Sequence, residues 1–401
     1  MMRGMKESGI EWIGEIPKEW EVSLIGNLYD ERKEKVSDKD YAPLSVTKNG
    51  IVPQLETAAK TNDGDNRKLV KRGDFCINSR SDRKGSCGVS NYDGSVSLIN
   101  TILEPKTQNN IQYYNWLFRT SMFADEFYKW GHGIVDDLWT TRWQEMKNIS
   151  IVVPCIDEQR RIATFLDNKC SEIDQLISLQ EQFIEELKAY KQSVITEAVT
   201  KGLNPEVEMK ESGVEWIDKI PLHWEKRKLK TLVALKSGSN LTSYDINETN
   251  GYPVYGGNGL RGYYSEYSNE GDYILIGRQG ALCGNINYTH GKFWVTEHAL
   301  VCYPKCEYIV YWLGELLKAM NLNQYSLSAA QPGLSAERIV NLYLPVPPLA
   351  EQRAIATYLD TKCTEIDSLI ALKQQKIDAL KDYKKSIIYE YVTGKKTVSN
   401  A

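Results

Sequence analysis

EQRRIATFLDNKCSEIDQLISLQEQFIEELKAYKQSVITEAVT (158–200) returns 193 residues later as EQRAIATYLDTKCTEIDSLIALKQQKIDALKDYKKSIIYEYVT (351–393), with 27 of 43 positions identical. In the first copy Ile162, Leu166, Ile173, Leu176, Phe183, Leu187, Tyr190 and Val194 fall at three- and four-residue steps. In the second, Ile355, Leu359, Ile366, Leu369, Leu380, Tyr383 and Ile387 do the same. Such spacing predicts an amphipathic helix with an apolar stripe suited to a coiled coil. Pro154 precedes one segment and Pro347 and Pro348 the other, while the next glycines are Gly202 and Gly394. Proline before a helix start and glycine after its end are the expected punctuation. A helix of this length spans about 65 Å, too long for one small domain to bury, so the two are expected to pair. Antiparallel pairing is the expectation, because it would carry the flanking blocks to opposite ends of a rod. Lys169, Gln180, Lys362, Lys373 and Lys376 interrupt the stripe; this fits either a partly open seam with room for a partner or drift of a surface helix.

A second repeat frames the first. MKESGIEWIGEIPKEW (5–20) returns as MKESGVEWIDKIPLHW (209–224), with 11 of 16 positions identical. The order is leading motif, variable block, long helix, then all three again. The period is far longer than the roughly 20–50 residues of a solenoid unit, so the chain is a duplicated domain pair with pseudo-twofold character. The expected organisation is a block over 1–153, a helical segment over 154–201, a second block over 202–346, a second helical segment over 347–393 and a tail over 394–401. The blocks align only faintly, GDFCINSR (73–80) beside GDYILIGR (271–278) and CGVSNY (87–92) beside CGNINY (283–288). Each reads as mixed α/β, of α+β type: GDYILIG (271–277) and KFWVT (292–296) as strands, and IQYYNWLFRTSMFADEFYKW (111–130) as a helix. Most of the 24 tyrosines and 10 tryptophans are expected in the cores.

A net charge of −4 argues superficially against a nucleic-acid partner. The acidity is segregated, however. Residues 157–200 hold nine acidic and five basic side chains, whereas 66–84 holds seven basic and two acidic, and KRKLK (226–230) forms another cluster. Duplex DNA is held through phosphates by Lys and Arg and read at base edges by Arg, Asn or Gln. Candidates for that role are Asn78, Ser79, Arg80, Arg83 and Lys84 in the first block, with Arg142 beside Trp139, Thr140 and Thr141 a further one. In the second block they are Tyr255, Asn258, Arg261, Arg278 and Gln279. Arg80 and Arg278 occupy equivalent places in the faint alignment. Each is equally compatible with an ordinary surface or ion-paired role.

Signatures of chemistry are missing. GNGLRG (257–262) matches G-x-G-x-x-G, but no helix pattern follows, so a glycine-rich turn is expected there instead of a dinucleotide site. No phosphate-binding G-x-x-x-x-G-K-[ST] occurs, and Asn204-Pro continues into Glu-Val, unlike the loop of an amino-group DNA methyltransferase. Cys302 and Cys306 near His290 and His298 do not match a zinc spacing. Eight dispersed cysteines predict free thiols. No apolar run approaches the roughly 18 residues of a membrane span, so a soluble, intracellular protein is expected.

The order of an EWIGEIPKEW-like motif, a variable block, and a helix opening PxxEQRRIATFLD, repeated with PPLAEQRAIATYLD, resembles the specificity subunit of type I restriction-modification systems. PVYGGNGLRGYY and ILIGRQGALCGNINY also look like target-recognition segments of that family. The first copy departs in reading PCIDEQ. The resemblance implies a DNA-binding, non-catalytic subunit of a prokaryotic cytoplasmic complex, with one recognition domain per half of a split double-stranded target. It implies paired helices that set the half-site spacing and dock two modification subunits, and restriction subunits beyond them. S-adenosylmethionine, ATP and Mg2+ would then belong to the partners. A freestanding nucleotide- or S-adenosylmethionine-using enzyme and a silent scaffold are the competing readings.

Overall fold

The computed structural model describes residues 3–54, 64–133, 139–280, 282–326 and 333–398; the last three residues of the expected tail lie outside them. Contacts divide the chain into two units, 1–180 with 375–401, and 181–374. Both long helices, Ile156–Lys201 and Leu349–Val392, contribute to both units.

In the first unit an antiparallel sheet runs in the order Cys87–Val89, Phe75–Asn78, Asn100–Pro105, Tyr29–Glu31. In the second the order is Ile286–Thr289, Tyr273–Gly277, Ala299–Pro304, Val233–Ser237. The order is the same, and so is the register at the centre, where Ile77 faces Thr101 and Ile276 faces Leu300. The bonds beyond the strand ends correct the faint alignment. The Ser79 N–H donates to the Ile99 carbonyl as the Arg278 N–H does to that of His298, and Arg80 bridges Thr140 as Gln279 bridges Gly333. Arg80 therefore corresponds to Gln279, with one extra residue in the second copy after Gly271-Asp272. The neighbouring strand corrects the alignment's second half: Cys87 faces Ile77, but the residue facing Ile276 is Ile286. Matching CGVSNY to CGNINY is therefore three residues out of step, because Cys283 lies in the turn before its strand.

The leading motif folds as a hairpin in each unit, Met5–Glu7 with Glu15–Pro17 and Met209–Val214 with Ile217–Pro221. Its closing tryptophans, Trp20 and Trp224, are fully buried. A helix end packs onto each. Gly394 (φ 74°) lies against Trp20 and Pro17, and Gly202 (φ 77°) against Trp224. Both glycines take the left-handed conformation that ends helices, and a Cβ at either would meet the neighbouring side chains. The expected helix over 111–130 is two helices, Ile111–Phe118 and Ser121–Lys129, because the Thr120 hydroxyl accepts from the Phe123 N–H and caps the second.

Within each unit the long helices run antiparallel. Asp174 pairs with Lys384 at 2.6 Å in the first unit, and Lys191 with Asp367 at 2.7 Å in the second. The buried seam departs from the expected stripe. Ile162, Leu166 and Ile173 are buried, as are Ile355, Leu359, Ile366 and Ile387, and Leu187 and Leu380 are half-buried. Leu176, Phe183 and Leu369, with Tyr190 and Tyr383, stand outside it, 39–57% exposed. Their seam positions are taken by the next residue in sequence: Ile177, Ile184, Ile370, Lys191 and Lys384. From Leu166 the seam proceeds through Cys170, Ile173, Ile177, Gln180, Ile184, Leu187, Lys191 and Val194, a strict alternation of four- and three-residue steps. A heptad helix keeps that period even where the residue is polar. Lys191 and Lys384 satisfy it by burying their stems and sending their ammonium groups to a carboxylate.

Candidate nucleic-acid interface

In the first unit Phe75–Asn78 ends in a loop stitched to a second segment. The Thr141 N–H donates to the Ser79 carbonyl (3.0 Å) and the Ser81 N–H to the Trp139 carbonyl (3.0 Å). These bonds bring Arg80 and Arg142 onto neighbouring backbone. Arg80, Arg83, Lys84 and Arg142 are all exposed. Arg83 approaches Asp82 at 3.4 Å, Lys84 pairs with Asp125, and the Arg142 N–H donates to the Glu145 carboxylate at 3.0 Å. Exposed pairs of this kind are weak, on the order of 0–1 kcal/mol, so the cations remain available to phosphate.

Two candidates leave the list. Asn78 is buried, its side-chain oxygen accepting from the Arg80 N–H at 3.1 Å and its carbonyl from the Tyr128 hydroxyl at 2.9 Å. Ser79 is buried with its hydroxyl on Thr101 at 2.9 Å. Both help to hold Arg80 past the strand end, and burial takes both side chains out of solvent.

In the second unit GNGLRG is the turn and start of the hairpin Tyr252–Gly256 with Gly259–Tyr264, as expected of a glycine-rich turn. A Cβ at Gly257 would stand 2.9 Å from the His298 carbonyl and 3.3 Å from that of Gln279, so glycine lets the turn rest on those two segments. Asn258, Arg261 and Gln279 thereby line one open cavity of about 410 Å³ with Leu260, Leu282 and His298. The Gln279 side-chain oxygen and His298 Nδ1 lie 3.1 Å apart. Arg278 and Gln279 also border a second opening of about 550 Å³ with Gly333–Glu337. The Arg278 guanidinium donates to the Ser237 hydroxyl at 3.2 Å and its N–H to the His298 carbonyl at 2.8 Å. Tyr255 is the exception: its ring packs edge-on to Phe293 at 6.0 Å among Leu275, Val295 and Val301. Burial raises its phenol pKa. It belongs to a core.

The structure also explains the PxxEQ signature, whose side-chain role the sequence did not reveal. Gln159 is buried; its oxygen accepts from the Asn110 N–H (2.8 Å) and its amide donates to the Pro154 carbonyl (2.8 Å). Gln352 repeats this with the Ile309 N–H (3.1 Å) and the Pro347 carbonyl (3.0 Å). Asn110 and Ile309 are the residues that open the helices Ile111–Phe118 and Val310–Ala319. Each glutamine thus latches a block's helix to a long helix. Glu158 binds Arg3 and the Trp20 indole N–H (2.9 Å), and Glu351 binds His223 (2.8 Å). Recurrence of Glu-Gln at the same place in both copies was the available signal. Among the described residues no cluster of His, Cys, Asp and Glu is arranged to hold a metal, and all eight cysteines are unpaired.

The family described as "Type I restriction modification DNA specificity domain" matches the chain twice, over residues 17–189 and 221–394. The chain belongs to this specificity-domain family. Each match takes in one variable block and most or all of one long helix. Among curated relatives, the EcoprrI specificity subunit of Escherichia coli is 38% identical over 156 residues, covering 38% of this chain and 39% of that protein. The MjaVIII specificity subunit of Methanocaldococcus jannaschii is 25% identical over 425 aligned residues, covering 96% of this chain and 95% of that one. The fold is that of solved type I subunits. A chain from a structure described as addressing complex assembly and conformational transition of the type I R-M system superposes with a TM-score of 0.76 at 16% identity, covering 94% of this chain and 98% of that one. The HsdS subunit from Thermoanaerobacter tengcongensis gives 0.55 at 16% identity over the same shares. Among the described residues no helix is long and apolar enough to cross a membrane.

Proposed function

We propose that this specificity-family chain reads a bipartite double-stranded DNA target, one half-site per unit, and does no chemistry of its own. It would work in the prokaryotic cytoplasm, delivering the target to two modification subunits and, through the assembled enzyme, to restriction subunits. S-adenosylmethionine, ATP and Mg2+ belong to those partners in this reading. One observation carries it: the two units share a sheet whose central strands lead into equivalent positions held by Arg80 and Gln279, while the groups around them differ. Beside Arg80 stand Arg83, Lys84 and Arg142; around Gln279 stand Arg278, Asn258 and Arg261. A common frame with unlike reading groups is what two different half-sites require.

Docking is supported by the side chains that the seam leaves out. Leu176, Leu179 and Tyr383 in the first unit, and Phe183, Tyr190, Leu369 and Leu372 in the second, are large apolar groups 39–59% exposed on the long helices. Rows of that kind mark protein-binding faces. The test is methylome sequencing of cells carrying this chain with its modification partner. A single bipartite motif that disappears when the chain is deleted is expected; an unchanged methylome after deletion refutes the reading.

A further inference from the structure

The long-helix repeats share 27 of 43 positions, and at one of the positions that differ the structure makes the difference large. In the first unit the Phe165 and Tyr391 rings pack with centroids 4.4 Å apart. The same positions in the second unit hold Tyr358 and Ala198. Where the first unit places the Tyr391 ring, the second has a cavity of about 790 Å³, lined among others by Tyr190, Val194, Ala198, Lys201, Lys219 and Tyr358. Tyr389, whose hydroxyl donates to the Trp12 carbonyl at 3.1 Å, is likewise replaced by Thr196.

We propose that the cavity over Ala198 is an acceptor for an aromatic side chain of a modification subunit, so that the two copies bind their partners unequally. The inference rests on the docking reading above and deepens it. The first unit supplies the occupant's chemistry, because there the same frame holds a tyrosine ring against an aromatic at the position of Tyr358. Tyr358 is 37% exposed and Tyr190 57% exposed, so the cavity presents aromatic faces to an incoming ring. On the same unit Phe183, Leu369 and Leu372 are exposed on these helices, extending the apolar surface beyond the cavity. Lys201 and Lys219 also line the cavity, and a cation over an aromatic face adds attraction. An aromatic anchor in a pocket flanked by apolar contacts is the usual centre of a protein interface.

The test is native mass spectrometry of the full-length chain titrated with purified modification subunit, resolving the first and second binding steps. Ala198→Tyr refills the cavity from within. Ser193→Trp plugs its mouth from an exposed position, which keeps the test valid should the buried substitution unfold the chain. Both are expected to weaken one step by about ten-fold or more and leave the other unchanged. Ser386→Trp, the counterpart in the first unit, is expected to change neither step appreciably. Unchanged binding in both cavity variants overturns the proposal, as does equal weakening of both steps. A change in self-association of the isolated chain in their place would make the occupant a second copy and overturns it too. Failure of the unaltered chain to bind any modification subunit would instead overturn the docking reading, and this proposal with it.

Discussion

Replacing Gln159 with alanine tests whether the repeated glutamine of each PxxEQ turn is a latch between block and helix. The side chain is 3% exposed and makes two hydrogen bonds, each 2.8 Å, to the Asn110 N–H and the Pro154 carbonyl. Truncation leaves one donor and one acceptor without a partner in a buried place, and each such group costs about 1–3 kcal/mol. The expected loss is therefore about 2–6 kcal/mol, with water entering the vacated space setting the lower end. For a unit of this size that corresponds to about 5–15 °C in its melting transition. Hydrogen exchange locates the effect: the amides of Asn110 and the helix it opens, Ile111–Phe118, should exchange faster, while Ile309 and its helix keep their protection. Gln352→Ala should give the mirror result. Gln159→Glu sharpens the test through its pH dependence. A neutral carboxyl can still donate to the Pro154 carbonyl, but a buried carboxylate cannot, so its folded pKa lies above its unfolded one. The variant should be closer to wild type below the unfolded glutamate pKa and lose stability as pH rises through the folded one. A loss under about 0.5 kcal/mol in Gln159→Ala, within the range of an ordinary surface change, or faster exchange in both units alike, would refute the latch.

Arg278→Ala and Arg80→Ala should each weaken DNA binding, by about 1–3 kcal/mol where the contact is bidentate to guanine, measured by fluorescence anisotropy on the native motif; unchanged affinity in a folded variant removes the residue from the interface. Asn78→Ala should lower stability through its lost bond to the Arg80 N–H while leaving base preference alone, as read by motif sequencing. Ile184→Asp should unfold the paired helices, whereas Phe183→Asp one residue away should fold and weaken partner binding; equal effects on melting would refute the seam assignment. Burial raises the thiol pKa of Cys87 to about 12 and of Cys170 to about 11, so near pH 8 a thiolate-specific reagent should label exposed Cys155 first. Early labelling of Cys87 by peptide mass mapping would show that this core is open. Exchanging residues 21–150 for a relative's block should alter one half of the methylated motif; altered halves on both sides would contradict independent reading.

The adjacent apolar residues of the long helices show where sequence reading stops. Leu176-Ile177, Phe183-Ile184 and Leu369-Ile370 each offer two apolar side chains about 100° apart on the helix. Both choices satisfy three- and four-residue spacing locally. Only the partner helix, and the heptad it imposes through Gln180 and Lys191, selects the second of each pair. Asn78, Ser79 and Tyr255 illustrate a related limit: their residue types suit base contact, but burial spends them on Arg80, Thr101 and Phe293.

The sequence by itself determined the duplication, the two long helices with their proline and glycine punctuation, and the glycine-rich turn at 257–262. These follow from chain-local rules, in which a residue's type and spacing suffice. It also carried the family resemblance, which the double match to the specificity-domain family bears out. The tertiary structure alone decided which helix face is the seam, what Gln159 and Gln352 hold, and that Ala198 opens a cavity where Tyr391 closes one. Each of those depends on which distant segment packs opposite, and a side chain's role there is set by what it meets, which periodicity does not encode.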